Sequence, residues 1–299
     1  MKNTVSENYR LVPIEAARRL SNKALYTYVV MLFKSDFNTY HSAVNQDTVA
    51  AITGRCQRTV GNHVEKMEQA GLVKVTRTQL ERERKKDYYD FARPAKDFII
   101  CDHSLIDMEL EGLTLEQQSD LKGFLLMVKC MCVNNCNFTY YSYKQMASKL
   151  GIGETAIKKL MPQLIERGLV ERLTHRTGYR ILTTCFDKGN TYPFPEDTPK
   201  RYRSIYNDIR WWCHERGMEC PAYKQEYISA IATEEWMDSE ERRTHRNDAE
   251  RMARYDLPTV LTARLPHLTE APQSLAYFVQ VLVNKQVTAP TDETHTLVL

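Results

Sequence analysis

One stretch of this chain occurs twice, and the repeat limits the fold more than any other feature. Ala50-Ala51-Ile52-Thr53-Gly54 returns as Ala147-Ser148-Lys149-Leu150-Gly151, 97 positions later. At the same offset Val60 meets Ile157, Val64 meets Met161 and Met67 meets Leu164. Gly71-Leu72-Val73 then meets Gly168-Leu169-Val170 without a gap. The matched positions are small, glycine or apolar, which are the ones a shared fold constrains. Upstream the offset becomes 96, and Leu25, Tyr28, Val29 and Leu32 meet Leu121, Phe124, Leu125 and Val128. Both sets have the i, i+3, i+4, i+7 spacing of an amphipathic helix. Ser21 and Ser119 are the candidate N-caps of those helices.

Each copy predicts the same order of elements. A first helix is followed by a short second helix, 46–52 or 142–149, which ends at Gly54 or Gly151. A third helix follows, 56–69 or 154–166, and stops at Gly71 or Gly168. A strand begins at once, and a basic turn leads to a second strand near Tyr88–Phe91 or Tyr179–Leu182. The run Thr48 to Val60 and His63 to Val73 resembles the bacterial winged helix-turn-helix consensus, and Gln145 to Val170 resembles a more divergent member. The resemblance covers roughly residues 12–185. Two copies in one chain resemble plasmid and phage replication initiators built from tandem winged helices. Pro162 departs from that pattern, since a proline inside a helix removes one backbone bond and tends to kink it.

The net charge of +3 conceals the distribution that matters. Residues 55–86 carry +5 and residues 144–180 carry +5, while 101–143 carry −4 and 205–299 carry −5. The basic islands fall on the third helix and hairpin of each copy, where a winged helix meets a polyanion. The third helix of such a unit enters the major groove. With Val60, Val64 and Met67 facing the core, Arg55, Gln57, Arg58, Gly61 and Asn62 are expected to be exposed. Arg pairs with guanine, and Gln or Asn with adenine. In copy two the matching positions are Glu154, Thr155, Lys158 and Lys159, and lysines suit phosphate more than a particular base. Copy one is therefore expected to read sequence and copy two to hold backbone. Arg77, Arg82, Arg84, Lys85 and Lys86 on the first wing, and Arg172, His175 and Arg176 on the second, are candidate phosphate contacts. Gly178 suits a tight hairpin turn.

Other chemistry finds little support. Cys130-x-Cys132-x3-Cys136 lacks the paired spacing of a structural zinc site, so no metal is expected. No G-x-x-x-x-G-K-[ST], G-x-S-x-G or H-E-x-x-H motif occurs, and no His-x-His pair accompanies the tyrosines. Neither a catalytic residue nor a cofactor is expected. No stretch approaches the roughly 18 apolar residues of a membrane span. The polar start, with eight cysteines in 299 residues, predicts a cytoplasmic protein.

Asp187 to Lys200, with Gly189, Pro193, Pro195 and Pro199, reads as a linker. Beyond it, Ile205, Ile209 and Trp212 predict a helix closed by Gly217 and Pro221. A second helix is expected over 223–237, and a charged exposed helix over 238–254. Leu275, Phe278, Val279, Leu282 and Val283 form an apolar stripe within 273–287. Ser274 to Phe278 resembles the C-terminal helical module of primosomal loader proteins of the DnaD type, without its companion motif. An acidic helical module favours a protein partner, through docking of the last segment in a groove or through homo-oligomerisation.

The expected fold is mainly α with small β-wings. Winged-helix domains span 1–103 and 104–186, a linker 187–203, a helical C-terminal domain 204–287 and a flexible tail 288–299. The expected function is sequence-specific binding of double-stranded DNA without catalysis. Replication initiation is favoured, with origin DNA bound by the winged helices and a helicase or helicase loader recruited by the C-terminal domain. The alternatives are a transcriptional regulator with a C-terminal dimerisation or effector domain, and an accessory protein that uses winged helices for protein contacts.

Overall fold

The computed structural model describes residues 8–78, 86–133, 136–173, 177–188, 194–195, 197–233, 257–268, 270 and 272–283. The protein is mainly helical with small sheets, and it divides into two compact units, 1–190 and 191–299.

The first unit holds both copies of the repeat. Its first half runs β1 (Tyr9–Pro13), α1 (Ile14–Arg19), α2 (Asn22–Phe33), β2 (His41–Ser42), α3 (Gln46–Thr53), α4 (Gln57–Gln69), β3 (Val73–Thr78), β4 (Lys86–Phe91) and β5 (Phe98–Asp102). Its second half runs α5 (Ser104–Asp107), α6 (Leu115–Cys130), β6 (Phe138–Thr139), α7 (Tyr143–Leu150), α8 (Glu154–Glu166), β7 (Val170–Arg172) and β8 (Tyr179–Ile181). The repeat extends to individual backbone bonds. Arg55 N donates to Ala50 O and Ile152 N to Ala147 O, while Leu72 N donates to Met67 O and Leu169 N to Leu164 O. Gly54 and Gly151, at φ of 67° and 63°, close α3 and α7 in the left-handed region that a side chain disfavours. The two antiparallel sheets share one strand order, β2-β4-β3 and β6-β8-β7, with the last strand in the middle. Gly178 is needed for packing, because an added Cβ would lie 2.5 Å from Thr139 O.

The helices begin where side chains can satisfy free amides. Ser21 caps α2 by accepting from Ala24 N, as its position predicts. Ser119 does not cap α6. Thr114 does so in a reciprocal box with Gln117, and Ser119 lies buried inside the helix, donating to Thr53 O at 2.8 Å. α8 continues through Pro162 without a break, with the proline exposed.

Helices α2 and α6 are the centre of the unit. Residues 24–32 of α2 and 121–130 of α6 are buried without interruption. A helix buried on every side belongs to a core rather than to a surface. The stripes expected from Leu25 to Leu32 and from Leu121 to Val128 are therefore parts of wider buried faces. The two helices pack on each other, so the equivalent element of each copy supplies the seam. At Gly123 an added Cβ would come within 1.9 Å of Asn22 O, so only glycine permits this approach. β1 pairs antiparallel with β5, Val12 opposite Ile99, and joins the start of the first half to its end. Nothing in the repeat predicts this sheet, because one partner precedes the matched region and the other follows it.

The second unit consists of α9 (Lys200–Glu215), α10 (225–233), α11 (Leu257–Arg264) and α12 (Leu275–Leu282). Ile205, Ile209 and Trp212 enter its core as their spacing predicts, and Gly217 at φ 67° follows α9. Trp212 meets Phe278 edge to face at 5.9 Å between centroids. Leu275, Phe278, Val279 and Leu282 are buried in that same core. The stripe expected to dock in a partner's groove is thus covered by its own unit. The charged run 238–254 and the tail from 288 lie outside the described residues. Among the described residues no helix is long and apolar enough to cross a membrane.

Candidate nucleic-acid interface

The face of α4 follows from its core. Val60, Val64 and Met67 are buried, so helical geometry turns Gln57, Arg58, Asn62, Glu65, Lys66 and Gln69 outward. Arg58 and Asn62, four residues apart, stand on one stripe and are both exposed. Gly61 lies half-buried beside them and leaves that stripe low. Arg58 has no carboxylate partner among the described residues. A fourth residue, His63, joins the buried side. Its Nδ1 lies 2.8 Å from Thr27 Oγ1 on α2, and burial with nearby Arg55, Lys66 and Lys23 pushes its pKa down to about 4. Sequence reasoning does not find it because a histidine on a largely polar helix looks like part of the exposed face.

Arg55 corrects the expectation most plainly. Its position in the turn predicts exposure, yet its side chain is 3% exposed. Nη1 donates to Glu116 Oε1 at 2.8 Å and Nη2 donates to Asp120 Oδ1, both on α6. The local chain explains this. Gly54 turns the backbone sharply under the start of α6, and the next side chain is directed along that helix instead of into solvent. Arg55 is therefore not on the outward face of α4.

The other candidates divide three ways. Arg77 on β3 is exposed, with Nη2 2.8 Å from Glu68 Oε2, and this pair holds the hairpin against the last turns of α4. Lys86 begins β4, opposite Thr78. Arg82, Arg84, Lys85, His175 and Arg176 lie outside the described residues. In the second copy Thr155, Lys158 and Lys159 are exposed on α8 while Ile157, Met161 and Leu164 face inward. Lys158 lies 2.8 Å from Glu154 in an exposed i,i+4 pair, which competes only weakly with another anion. Arg172 is exposed at the end of β7.

Two exposed lysines on α7, Lys144 and Lys149, are not among the contacts expected from the sequence. Lys149 Nζ stands 4.6 Å from the centre of the Tyr141 ring. Their signal was the second basic island, which begins at Lys144.

Capping adds a second regularity. Ser21, Asn45, Thr114 and Ser142 each accept an amide at the start of α2, α3, α6 and α7. α4 begins at Cys56 and α8 at Gly153, and neither residue supplies such a bond. First-turn amides of a helix form a partly positive site for an anion. α4 and α8 thus begin without the side-chain cap found at α2, α3, α6 and α7. Cys56 is exposed, and its hydrogen bonds to Thr59 lower the thiol pKa.

Cys101, Cys130, Cys132, Cys136, Cys185 and Cys213 are buried. Burial pushes Cys130 up to about 12 and raises Cys101 and Cys132 as well, which favours the thiol over the thiolate that would bind a metal. Among the described residues no group of three or more His, Cys, Asp or Glu is placed to hold a metal ion. A polar cavity of about 360 Å³ is lined by Arg10, Phe33, Asp36, Phe37 and His103 among others. Arg10 donates there to Leu32 O at 3.1 Å and Ser35 O at 2.7 Å, which closes the end of α2.

No protein-family model matches this chain, and no curated protein matches it.

Proposed function

We propose that the first unit is a pair of tandem winged helices that binds double-stranded DNA, with α4 and α8 entering the major groove. The observation that carries this reading is the shared outward face of the two helices. Each follows a tight αL turn, starts without a side-chain cap, and presents polar and basic residues opposite a buried apolar side. Arg58, Gln57 and Asn62 on α4 have the donors and acceptors for base edges. Lys158 and Lys159 on α8, with Lys144, Lys149 and Arg172 nearby in sequence, suit phosphate.

The biological role proposed is replication initiation. The first unit binds origin DNA, and the acidic C-terminal third recruits a helicase or its loader. Tandem reading domains in one chain support this over transcriptional regulation, where one copy and a separate dimerisation domain are more usual. The protein acts without catalysis, in the cytoplasm.

The test is retention of a random-sequence duplex across a salt series. Binding should fall with a log–log slope of about −4 or steeper, as several phosphates are neutralised. No binding at low salt overturns the reading. Sequencing of genomic fragments bound by the protein separates the roles: repeated sites in an AT-rich origin support initiation, and sites over promoters support regulation.

A further inference from the structure

The end of α9 brings two thiols together. Tyr206, Arg210 and Cys213 are spaced i, i+4, i+7 and so share one stripe of that helix. Just past it, Gly217 at φ 67° reverses the chain, a conformation that suits glycine. Gly217 N donates to His214 O and Met218 N to Cys213 O, both at 3.0 Å, and these bonds fasten the reversal. The returning segment then runs back along the stripe, because Tyr206 Oη donates to Pro221 O at 2.7 Å. The Tyr206 and Tyr223 rings also meet edge to face at 5.3 Å between centroids. Cys220 is thus held on both sides, by the bond to Cys213 O before it and the bond from Tyr206 after it. In that position the Cys213 thiol donates to the Cys220 sulfur.

The two sulfurs differ as a reacting thiol differs from a resolving one. Cys213 is fully buried in the core of the second unit, and Cys220 is half-buried at its surface. The hydrogen bond from Cys213 holds the Cys220 thiol below its ordinary pKa, and the charge of Arg210 adds to this. The same bond, with burial, raises Cys213. The thiolate is the form that attacks an oxidant, and accessibility selects which thiolate does so. The cysteines of the first unit do not share this arrangement. Cys56 is exposed but pairs with Thr59 Oγ1 rather than with a thiol. Cys132 and Cys136 are both buried, and each donates to a backbone carbonyl, Val128 O and Val133 O.

We infer that Cys220 and Cys213 form a reversible oxidation site that takes a hydroperoxide, with Cys220 as the attacking thiol and Cys213 as the resolving one. The Cys220 sulfur attacks the terminal oxygen of the peroxide. A sulfur–oxygen bond forms, the oxygen–oxygen bond breaks, and the departing oxygen takes up the proton that Cys220 had released. Cys220 is then a sulfenic acid. The Cys213 sulfur attacks the Cys220 sulfur, a disulfide forms, and the hydroxyl leaves as water with the Cys213 proton. Two electrons pass from the two thiols to one peroxide, and a dithiol reductant returns them. The closed bond ties the last turn of α9 to the segment that follows it. Such a bond in a reducing compartment is transient and reports oxidant rather than supporting the fold. The site stands independently of DNA binding.

The experiment treats the full chain with hydrogen peroxide, blocks free thiols by alkylation, and digests with trypsin. Cleavage at Arg216 separates the two cysteines, into peptides 211–216 and 217–224. The two peptides should appear joined after about one equivalent of peroxide and separate again with dithiothreitol. The folded chain should form this link about tenfold or more faster than the urea-unfolded chain, in which the same sequence spacing is present without the arrangement. In Cys213→Ala the sulfenic acid should persist on Cys220 and be trapped by dimedone. In Cys220→Ser no link should form. Peptides 211–216 and 217–224 recovered alkylated and unlinked from the folded native protein, after a large excess of peroxide, overturn the inference. Equal rates in the folded and unfolded chains overturn it too, since the fold then contributes nothing. A dimedone adduct on Cys213 in Cys220→Ser, with none on Cys220 in Cys213→Ala, overturns the roles given to the two thiols.

Discussion

His63 and Thr27 join α4 to α2 through a buried contact of 2.8 Å between Nδ1 and Oγ1. Thr27 Oγ1 donates its own proton to Lys23 O at 3.1 Å, so it accepts from His63 Nδ1. The imidazole is held neutral, and burial next to three cations makes its protonation unfavourable. The side chain that orients α4 is thus also an acid-sensitive point in the fold.

Stability should fall on mild acidification because of it. The folded pKa is about 4 against a reference of 6.5, so between those values the unfolded chain binds the proton and the folded chain does not. Stability then rises with pH across this window, is complete above it, and is lost as pH falls from 6.5 toward 4. The loss is on the order of 1–2 kcal/mol after solvent screening. Urea midpoints at pH 7 and pH 5 measure it, and His63→Gln should flatten the difference. An unchanged pH dependence in that variant would exclude His63 as the cause.

Gly123→Ala should damage the seam between the two copies. The new methyl would be placed 1.9 Å from a backbone oxygen, Asn22 O, and 2.7 Å from Asn22 C, so the helices must separate. Overpacking of this kind costs about 1–3 kcal/mol and occasionally more. Thermal melting should show a clear fall in Tm. A melt indistinguishable from the native one would mean that α2 and α6 are not in such close contact.

The repeat made much of this fold legible, and its limits are physical. The ends of α3, α4, α7 and α8 fall within a residue or so of the expected ranges, because glycines and apolar periodicity mark them directly. The outward placement of Arg58 and Asn62 follows from the same periodicity. The burial of Arg55 is not legible locally, because a basic residue in a turn is exposed unless something far away covers it. Its partners Glu116 and Asp120 lie more than sixty residues on. The change from Arg55 to Ile152 between copies was the available sign that this position faces an interface. β1 and β5 were missed for a related reason: each is a five-residue strand whose pairing joins segments nearly ninety residues apart.

Gly61→Ala should move stability and DNA affinity in opposite directions. Gly61 lies inside α4, and a Cβ there meets only Gln46 Oε1 at 3.4 Å. Replacing an interior helical glycine by alanine gains up to about 1 kcal/mol. The same methyl raises the surface beside Arg58 and Asn62, where the proposed contact with base edges is made. Denaturation should therefore show a more stable protein and titration a weaker DNA complex. A parallel rise in both would place the DNA surface elsewhere.

Arg58→Ala and Lys159→Ala should separate reading from holding. Arg58 is exposed on the stripe it shares with Asn62, while Lys159 is exposed on α8 beside Lys158. If Arg58 pairs with a base, its loss costs about 1–3 kcal/mol on the preferred duplex and little on others, so the ratio between them collapses. If Lys159 meets a phosphate, its loss weakens every duplex alike and reduces the salt slope by about 1. Titrations of both variants against preferred and scrambled duplexes at three salt concentrations measure the two quantities separately. Specificity left intact by Arg58→Ala would remove α4 as the reading helix. A changed preference with an unchanged salt slope in Lys159→Ala would reverse the roles assigned to the two copies.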